Sequence, residues 1–412
     1  MNGILSGMRV VEGSAFVAIP LAGMTLAQMG ADVIRFDRLE GGLDAGRWPV
    51  TRDGKSLFWA GMNKGKRSVA VDLSSPRGRE LVTQIITAPG EDAGLFMTNL
   101  AVRGWLDHQT LAKHRPDLIT VSLRGDRRGR PAVDYTVNPA VGFPDVTGPE
   151  GASRPTQSVL PAWDCIAGNM AVSALLSAER YRMRTGRGQE VAFTLKDVAA
   201  AMLGHLGIIG DVVVNGSERP KAGNALYGGY GQDFLCADGR RVMVVGLTLR
   251  QWENLIKATG IGARITALES VLGHSLAEEG VRFRARAAIT TLLAPFFAAR
   301  RIEDFAAHFD ASGVTWSEFR SFSRAVREDP DLSSDNPIFA DLYQPGLGRF
   351  PVPGLPMDYS ELDRQTPVAA PVLGEHTEEV LAEVAGLPDG EIARLFDAGV
   401  VTGPRPEHRA IA

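Results

Sequence analysis

The chain has 412 residues, 44% hydrophobic and 22% charged, with a net charge of −4 at pH 7. These proportions are those of a globular protein, and the length exceeds what one hydrophobic core ordinarily supports, so two domains are expected. The mildly acidic balance gives no reason to expect a nucleic-acid or membrane partner.

Two cysteines, Cys165 and Cys236, do not make a disulfide framework, which suits a reducing, cytoplasmic setting. No basic segment leading a long apolar run opens the sequence. The longest apolar stretch, 15–29, is interrupted by Pro20 and falls short of the roughly 20 residues of a membrane span. A soluble protein is expected.

Arg9-Val10-Val11-Glu12 reads as a short strand. Pro20 suits the first turn of a helix, where its missing N–H leaves nothing unpaired. That helix runs over 21–29 and stops at Gly30. Asp32-Val33-Ile34-Arg35-Phe36 is a second strand. The resulting βαβ unit predicts a parallel sheet with helices on its faces. Strands at 68–71, 94–98 and 118–123, with helices at 77–86 and 108–114, extend the same pattern. A Gly- and Pro-rich region then reaches 161. It precedes a long helix over 164–182, a turn at 185–189 and an apolar helix over 196–209.

From 222 the pattern changes to strands on either side of Asp238-Gly239 and helices near 250–258, 278–293 and 301–311. A large domain over 1–221 and a smaller α+β domain over 222–329 are therefore expected. Eight of the 24 prolines fall in 330–371, a density that excludes long helices and predicts an extended segment laid across a surface. Amphipathic helices at 377–383 and 389–396 close the chain in a segment 372–412.

Several chemistries lack their residues. There is no CxxC, HxH or HExxH spacing, so no metal site is expected. Ser14 follows Gly13 but lacks the second glycine of a hydrolase elbow. Gly61 to Ser68 resembles a nucleotide-binding P-loop but is one residue short between its glycines. The turn after the first strand lacks GxGxxG. Arg38, just beyond the second strand, stands where such sheets bind ligands and suits a phosphate. Lys64, Lys66 and Arg67 form a second basic cluster, either a solvated face or a further polyphosphate contact.

Asp164 opens the long apolar helix within Leu160-Pro161-Ala162-Trp163-Asp164-Cys165. It reads as an N-cap and equally as a nucleophile. With an ordinary pKa near 4 it is an anion at neutral pH, and the helix dipole favours that form. Such a group attacks an acyl carbonyl without a general base. Cys165, with no Lys or His beside it, reads as an inert thiol.

The residues now resemble a known family. Gly7-Met8-Arg9-Val10-Val11-Glu12, Pro20, Gly30-Ala31-Asp32-Val33-Ile34 and 63–68 resemble the opening of the family III CoA transferases. Asn99, Arg115-Pro116-Asp117-Leu118-Ile119, Asp164 with Gly168, 185–189, Asp238-Gly239, Gln251-Trp252 and Gly374-Glu375-His376-Thr377 continue the match in order. The segments 10–28, 57–68, 133–139, 160–164, 196–207 and 241–252 are most similar to the branch that moves CoA between the two carboxyl groups of mesaconate.

The resemblance implies an α/β fold, with a large Rossmann-like domain built on a parallel sheet, a smaller α+β domain, and an interlocked homodimer. It implies Asp164 as the nucleophile and CoA contacts at Phe16, Val17, Arg38, Val71, Asp72, Leu73, Ser74, Asn99, Leu100 and Arg103. A shortened glycine loop at Gly246 and Leu247 would cover the acyl site and supply oxyanion donors. The substrate implied is a CoA thioester of a small dicarboxylic acid. Coenzyme A is part of that substrate, and no cofactor is permanently bound. Arg124, Tyr135, Asn138 and Arg180 are candidates to hold the second carboxylate. The stretch Ala132-Val133-Asp134-Tyr135 has no histidine, which disfavours the family's racemase chemistry. Transfer between two separate acids and a non-catalytic CoA-ester-binding regulator remain the other readings.

Overall fold

The computed structural model describes residues 3–101 and 103–404; the last part of the expected 372–412 segment lies outside the described residues. Its strands are β1 (Arg9–Gly13), β2 (Asp32–Asp37), β3 (Arg67–Val71), β4 (Leu95–Thr98), β5 (Ile119–Arg124) and β6 (Gln189–Thr194). These are followed by β7 (Tyr230–Leu235), β8 (Arg241–Gly246), β9 (Thr315–Glu318), β10 (Phe339–Gln344), β11 (Gly348–Pro353) and β12 (Val401–Thr402).

Seven of the strands form one sheet in the order β12-β3-β2-β1-β4-β5-β6. All neighbours pair in parallel except β12, which closes the β3 edge antiparallel, Val401 opposite Val71. The sheet is α/β, as predicted. The order therefore reverses between β1 and β4, and a crevice opens at the carboxyl ends of strands at such a point.

Helices cover the sheet because its strands are apolar on both sides. On one face Val11, Ile34, Phe36, Val69 and Phe96 pack with Leu81, Val82, Ile85 and Ile86 of the Pro76–Thr87 helix. Val380 and Leu381 of the Thr377–Glu383 helix and Ile392 and Leu395 of the Asp389–Asp397 helix complete that layer. Each such side chain contributes about 1.5–3 kcal/mol when fully buried. The Ala18–Gln28 and Ala162–Thr185 helices pack against each other. Gly168 permits their approach, since a Cβ there would stand 2.7 Å from the Ala18 carbonyl oxygen.

Beneath the sheet's carboxyl edge lies a buried ion network. Arg35 donates to Asp37 Oδ2 (2.8 Å), Asp44 Oδ1 (2.9 Å), Asn63 Oδ1 (3.1 Å) and the Ser14 carbonyl (3.2 Å). It also stacks over Trp59 at 4.6 Å. Burial opposes its charge, but Asp37, Asp44 and Glu12 more than offset this and hold its pKa above the ordinary value. Lys66 lies 2.8 Å from Glu12 in the same network.

The basic cluster at 64–67 is thus not a phosphate site. Lys66 is buried against Glu12, the Pro20 carbonyl and Asn63. Lys64 donates to the Gly61 carbonyl. Arg67 pairs with Asp32, Glu379 and Glu383. Burial, the largest influence, lowers both lysines to about 8.

By its contacts the chain divides into two compact units. Of the described residues, the first takes those in 3–141, 158–210 and 329–404; the second takes 142–157 and 211–328. The second unit reaches into the expected 1–221 domain because buried Lys221 donates to the carbonyls of Thr147 and Arg154, both at 2.8 Å. It holds the antiparallel sheet β7-β8-β9 over a core of Phe234, Trp252, Leu255, Phe297 and Phe309.

Several elements differ from expectation. β6 follows the 185–189 turn where only a helix was anticipated; its exposed–intermediate alternation, with one sheet edge open, carries too weak an apolar signal. The 196–209 helix is two, Leu195–His205 and Ile208–Asn215, parted at Gly207 (φ +75°). The 278–293 helix breaks at Ala285. The proline-rich stretch contains the β10–β11 hairpin, joined to 370 by paired amide bonds of Gln344 (2.8 and 3.0 Å). No single helix among the described residues is long and apolar enough to cross a membrane.

Candidate active site

A cavity of about 460 Å³ opens at the sheet's reversal point. Phe16 and Val17 follow β1, Asn99 follows β4, Leu123 and Arg124 end β5, and Leu195 follows β6; all line it. Asp164, Asp134, Tyr135, Arg47, Trp48 and Phe58 complete most of the wall. A larger cavity of about 670 Å³ in the same unit is lined by Glu40, Lys55, Ser56, Gln344 and Phe396 among others, and Asp164 is not part of its wall.

The loop after β1 is held in an unusual shape. Phe16 has φ +66°, a conformation that costs a bulky residue of order 1 kcal/mol or more and tends to mark functional sites. Asn99 holds the loop to β4 by accepting from Ala15 N (2.9 Å) and donating to Ala15 O (2.7 Å).

Asp164 is the third residue of the Ala162–Thr185 helix, not its cap. The cap position is Pro161, which supplies no side-chain acceptor. Buried Asp134 does that work, with Oδ2 accepting from Trp163 N at 2.8 Å and Asp164 N at 3.2 Å. Trp163 Nε1 donates to Asn138 Oδ1 at 3.1 Å, which ties the helix start to the Asp134–Ala140 helix. Asp164 is thereby left with its carboxylate directed to the cavity instead of to its own backbone.

The electrostatics follow. Burial and the neighbouring Asp134 charge push Asp164 up to about 6, with Arg47 acting in the opposite direction. The expected pKa near 4 is therefore too low, because desolvation and a like charge outweigh the helix dipole. Asp134 is also raised, by burial. The Cys165 thiol is pushed up by burial, Asp164 and Asp134, so its thiolate is scarce.

The other sequence-derived residues sort by place. Phe16, Val17 and Asn99 line the cavity with Asp164. Arg38 is exposed just past β2. Val71 ends β3, and Asp72, Leu73 and Ser74 form the following turn, with Asp72 accepting from Ser74 N at 2.9 Å. Leu100 packs on the apolar layer, and exposed Arg103 precedes a helical turn at 104–106. All follow the carboxyl ends of adjacent strands, β3-β2-β1-β4. Gly246 and Leu247 end and follow β8 in the second unit.

Of the four candidates for a second carboxylate, Arg124 and Tyr135 line the cavity. Asn138 is engaged by Trp163. Arg180 stands sixteen residues beyond Asp164, roughly 24 Å along the same helix. Sequence reasoning missed Arg47 and the capping role of Asp134. Arg47 sits in a loop that no periodicity places, though it shares the crevice side of β2 with Arg38. No cluster of His, Cys, Asp or Glu among the described residues could hold a metal ion.

A family model described as CoA-transferase family III matches residues 5–377. The chain belongs to CoA-transferase family III. This family III chain is 56% identical over 405 residues to 2-methylfumaryl-CoA isomerase of Chloroflexus aurantiacus, covering 98% of this chain and 99% of that protein. It is 32% identical over 273 residues to succinate–glutarate CoA-transferase of Agrobacterium fabrum, covering 63% and 67%. A crystal structure of a CaiB/BaiF family protein from Brucella suis superposes with a TM-score of 0.76 at 26% identity, over 93% of this chain and all of that one.

Proposed function

We propose that this family III CoA-transferase moves CoA between the two carboxyl groups of mesaconate, interconverting 2-methylfumaryl-CoA and 3-methylfumaryl-CoA through Asp164. The observation that carries the substrate is the 56% identity over nearly both full lengths. The placement of Asp164 in the crevice supports the mechanism.

Asp164 Oδ attacks the thioester carbonyl; the tetrahedral intermediate expels CoA thiolate and leaves a mixed anhydride. The thiolate then attacks the aspartyl carbonyl, giving an aspartyl-CoA thioester and free mesaconate. The other mesaconate carboxylate attacks that thioester, and the same two steps in reverse regenerate Asp164 and the isomeric ester. One thioester replaces another, so no proton, metal or ATP enters the balance. With a pKa of about 6, Asp164 is roughly 90% ionised at pH 7, and its partial desolvation makes it a stronger base than a hydrated carboxylate.

Oxyanion donors, each worth about 3–4 kcal/mol, are assigned to backbone N–H groups near Gly246 and Leu247. CoA itself is assigned to Phe16, Val17, Arg38, 71–74, Asn99, Leu100 and Arg103, which follow adjacent strand ends. The active form is proposed to be a homodimer, interlocked as the family resemblance implies. Exposed Leu206, Ile209, Val212, Val213 and Val214 are apolar surface of the kind a partner covers.

The test is incubation of the pure protein with 2-methylfumaryl-CoA alone, with products separated by chromatography and mass. Appearance of the isomer supports the reading. No turnover, with no hydroxylamine-sensitive CoA adduct on Asp164, leaves a CoA-ester-binding regulator. Uptake of labelled free mesaconate into the ester at the rate of isomerisation indicates transfer between separate acids.

A further inference from the structure

We propose that Arg47 grips the free carboxylate of the bound acyl group, and that this single grip serves both isomers and retains the diacid between half-reactions. This rests on the reading of Asp164 as nucleophile.

Arg47 lines the cavity with Asp164, yet among the described residues no carboxylate lies within ion-pair distance of it. Its guanidinium is held between two rings, 5.3 Å from the centroid of Phe16 and 5.2 Å from that of Phe58. Cation–π attraction to the two rings holds the charge at the wall without using its N–H donors as an ion pair would.

The backbone beneath it is also fixed. The Arg47 carbonyl accepts from Ser56 Oγ at 2.6 Å. Three residues earlier, Asp44 is anchored in the buried network at 2.9 Å from Arg35. The rival cation, Arg124, already faces Glu190 at 3.8 Å. The remaining titratable groups on the wall, Asp134, Asp164 and Tyr135, are acids. A bidentate guanidinium is the natural partner of a carboxylate in such surroundings.

The substrate's shape does the rest. The two carboxyl carbons of a trans four-carbon diacid are three C–C bonds apart, so a thioester at Asp164 sets its free carboxylate at a fixed short distance. The diacid is nearly symmetric end for end apart from one methyl. Turned around, it offers the same pair of groups to Asp164 and Arg47. While CoA is on the enzyme, mesaconate bears two carboxylates and Arg47 holds it in place, which keeps its effective concentration high.

The experiment uses the full chain with R47Q, R47K and R124Q, folding being checked by thermal melting. Isomerisation and uptake of labelled mesaconate are measured from pH 5.5 to 8.5. R47Q is expected to lose about 100-fold in kcat/KM, as truncating one partner of a desolvated charge pair does. The loss persists at pH 8.5, and label enters the ester where the parent excludes it. R47K keeps the charge but not the fork, and recovers only part of the activity.

Activity restored at pH 8.5 with no label uptake overturns the proposal, since Arg47 then only keeps Asp164 ionised. So does an undiminished R47Q, or loss confined to R124Q. If instead the parent forms no CoA adduct on Asp164, the nucleophile reading itself fails, separately from Arg47. Should R47Q not fold, the label uptake and pH profile of R47K decide.

Discussion

Two groups of buried charge sit in the same compact unit and behave oppositely. Around Arg35, three acids and two bases interlock. The guanidinium has Asp37, Asp44, Asn63 and the Ser14 carbonyl as acceptors, so ionisation is reinforced. Around Asp164, two acids share a wall with Arg124, which faces Glu190, and with Arg47, which pairs with no carboxylate among the described residues; burial raises both acids. The contrast teaches how to tell scaffold from chemistry. A network in which every cation already has its acids stabilises shape, whereas like charges left together beside a cation with no acid partner are poised for a ligand.

The largest expected effect breaks the second group. Asp164→Asn should reduce turnover by ~10⁴-fold or more, as loss of a nucleophile does, measured by initial rates on 2-methylfumaryl-CoA. The same variant should melt higher at pH 7. Folding raises the carboxyl from its usual value to about 6, so the native state holds its proton more tightly. Stability tied to that proton is complete below pH 4 and lost as pH rises through 6. Removing the charge recovers up to about 3 kcal/mol at pH 7 and nothing below pH 4. Equal melting at both pH values would count against a desolvated Asp164.

Breaking the first group is next. Arg35→Leu strands Asp37 and Asp44 in the interior and should cost about 3–5 kcal/mol, read by denaturant unfolding. Asp134→Ala removes the acceptor for two helix N–H groups, a cap worth about 0.5–2 kcal/mol. Asp134→Asn keeps an acceptor but not the charge. Its acid limb in kcat/KM should therefore move below the parent's limb near pH 6, an outcome a purely structural role would not give. Smallest of all, Cys165→Ala should leave turnover within twofold (~2) of the parent, since a raised thiol is no nucleophile.

Much of this was legible beforehand. The parallel sheet followed from apolar runs and Gly30, and Asp164 stood out at the head of a long helix. Other features depended on contacts remote in sequence. Asp134 caps a helix thirty residues downstream, which a local capping pattern does not reveal. Lys66 read as a solvated or phosphate-facing lysine, and not as a buried one, because its partner, Glu12, lies 54 residues away. β6 was hidden by its weak alternation at a sheet edge, and Arg47 by a loop with no period. Local rules read the frame; the charged interior needs tertiary distance.

The two-residue strand β12 has a consequence for how this molecule is made. The sheet's β3 edge is closed by Val401 and Thr402, and the apolar layer beside it by Val380, Leu381, Ile392 and Leu395. Until a ribosome has released those residues, the nascent sheet keeps an open edge and a greasy flank. A chain cut before 377 should therefore expose both the β3 edge and that apolar layer, and aggregate where the full sheet does not.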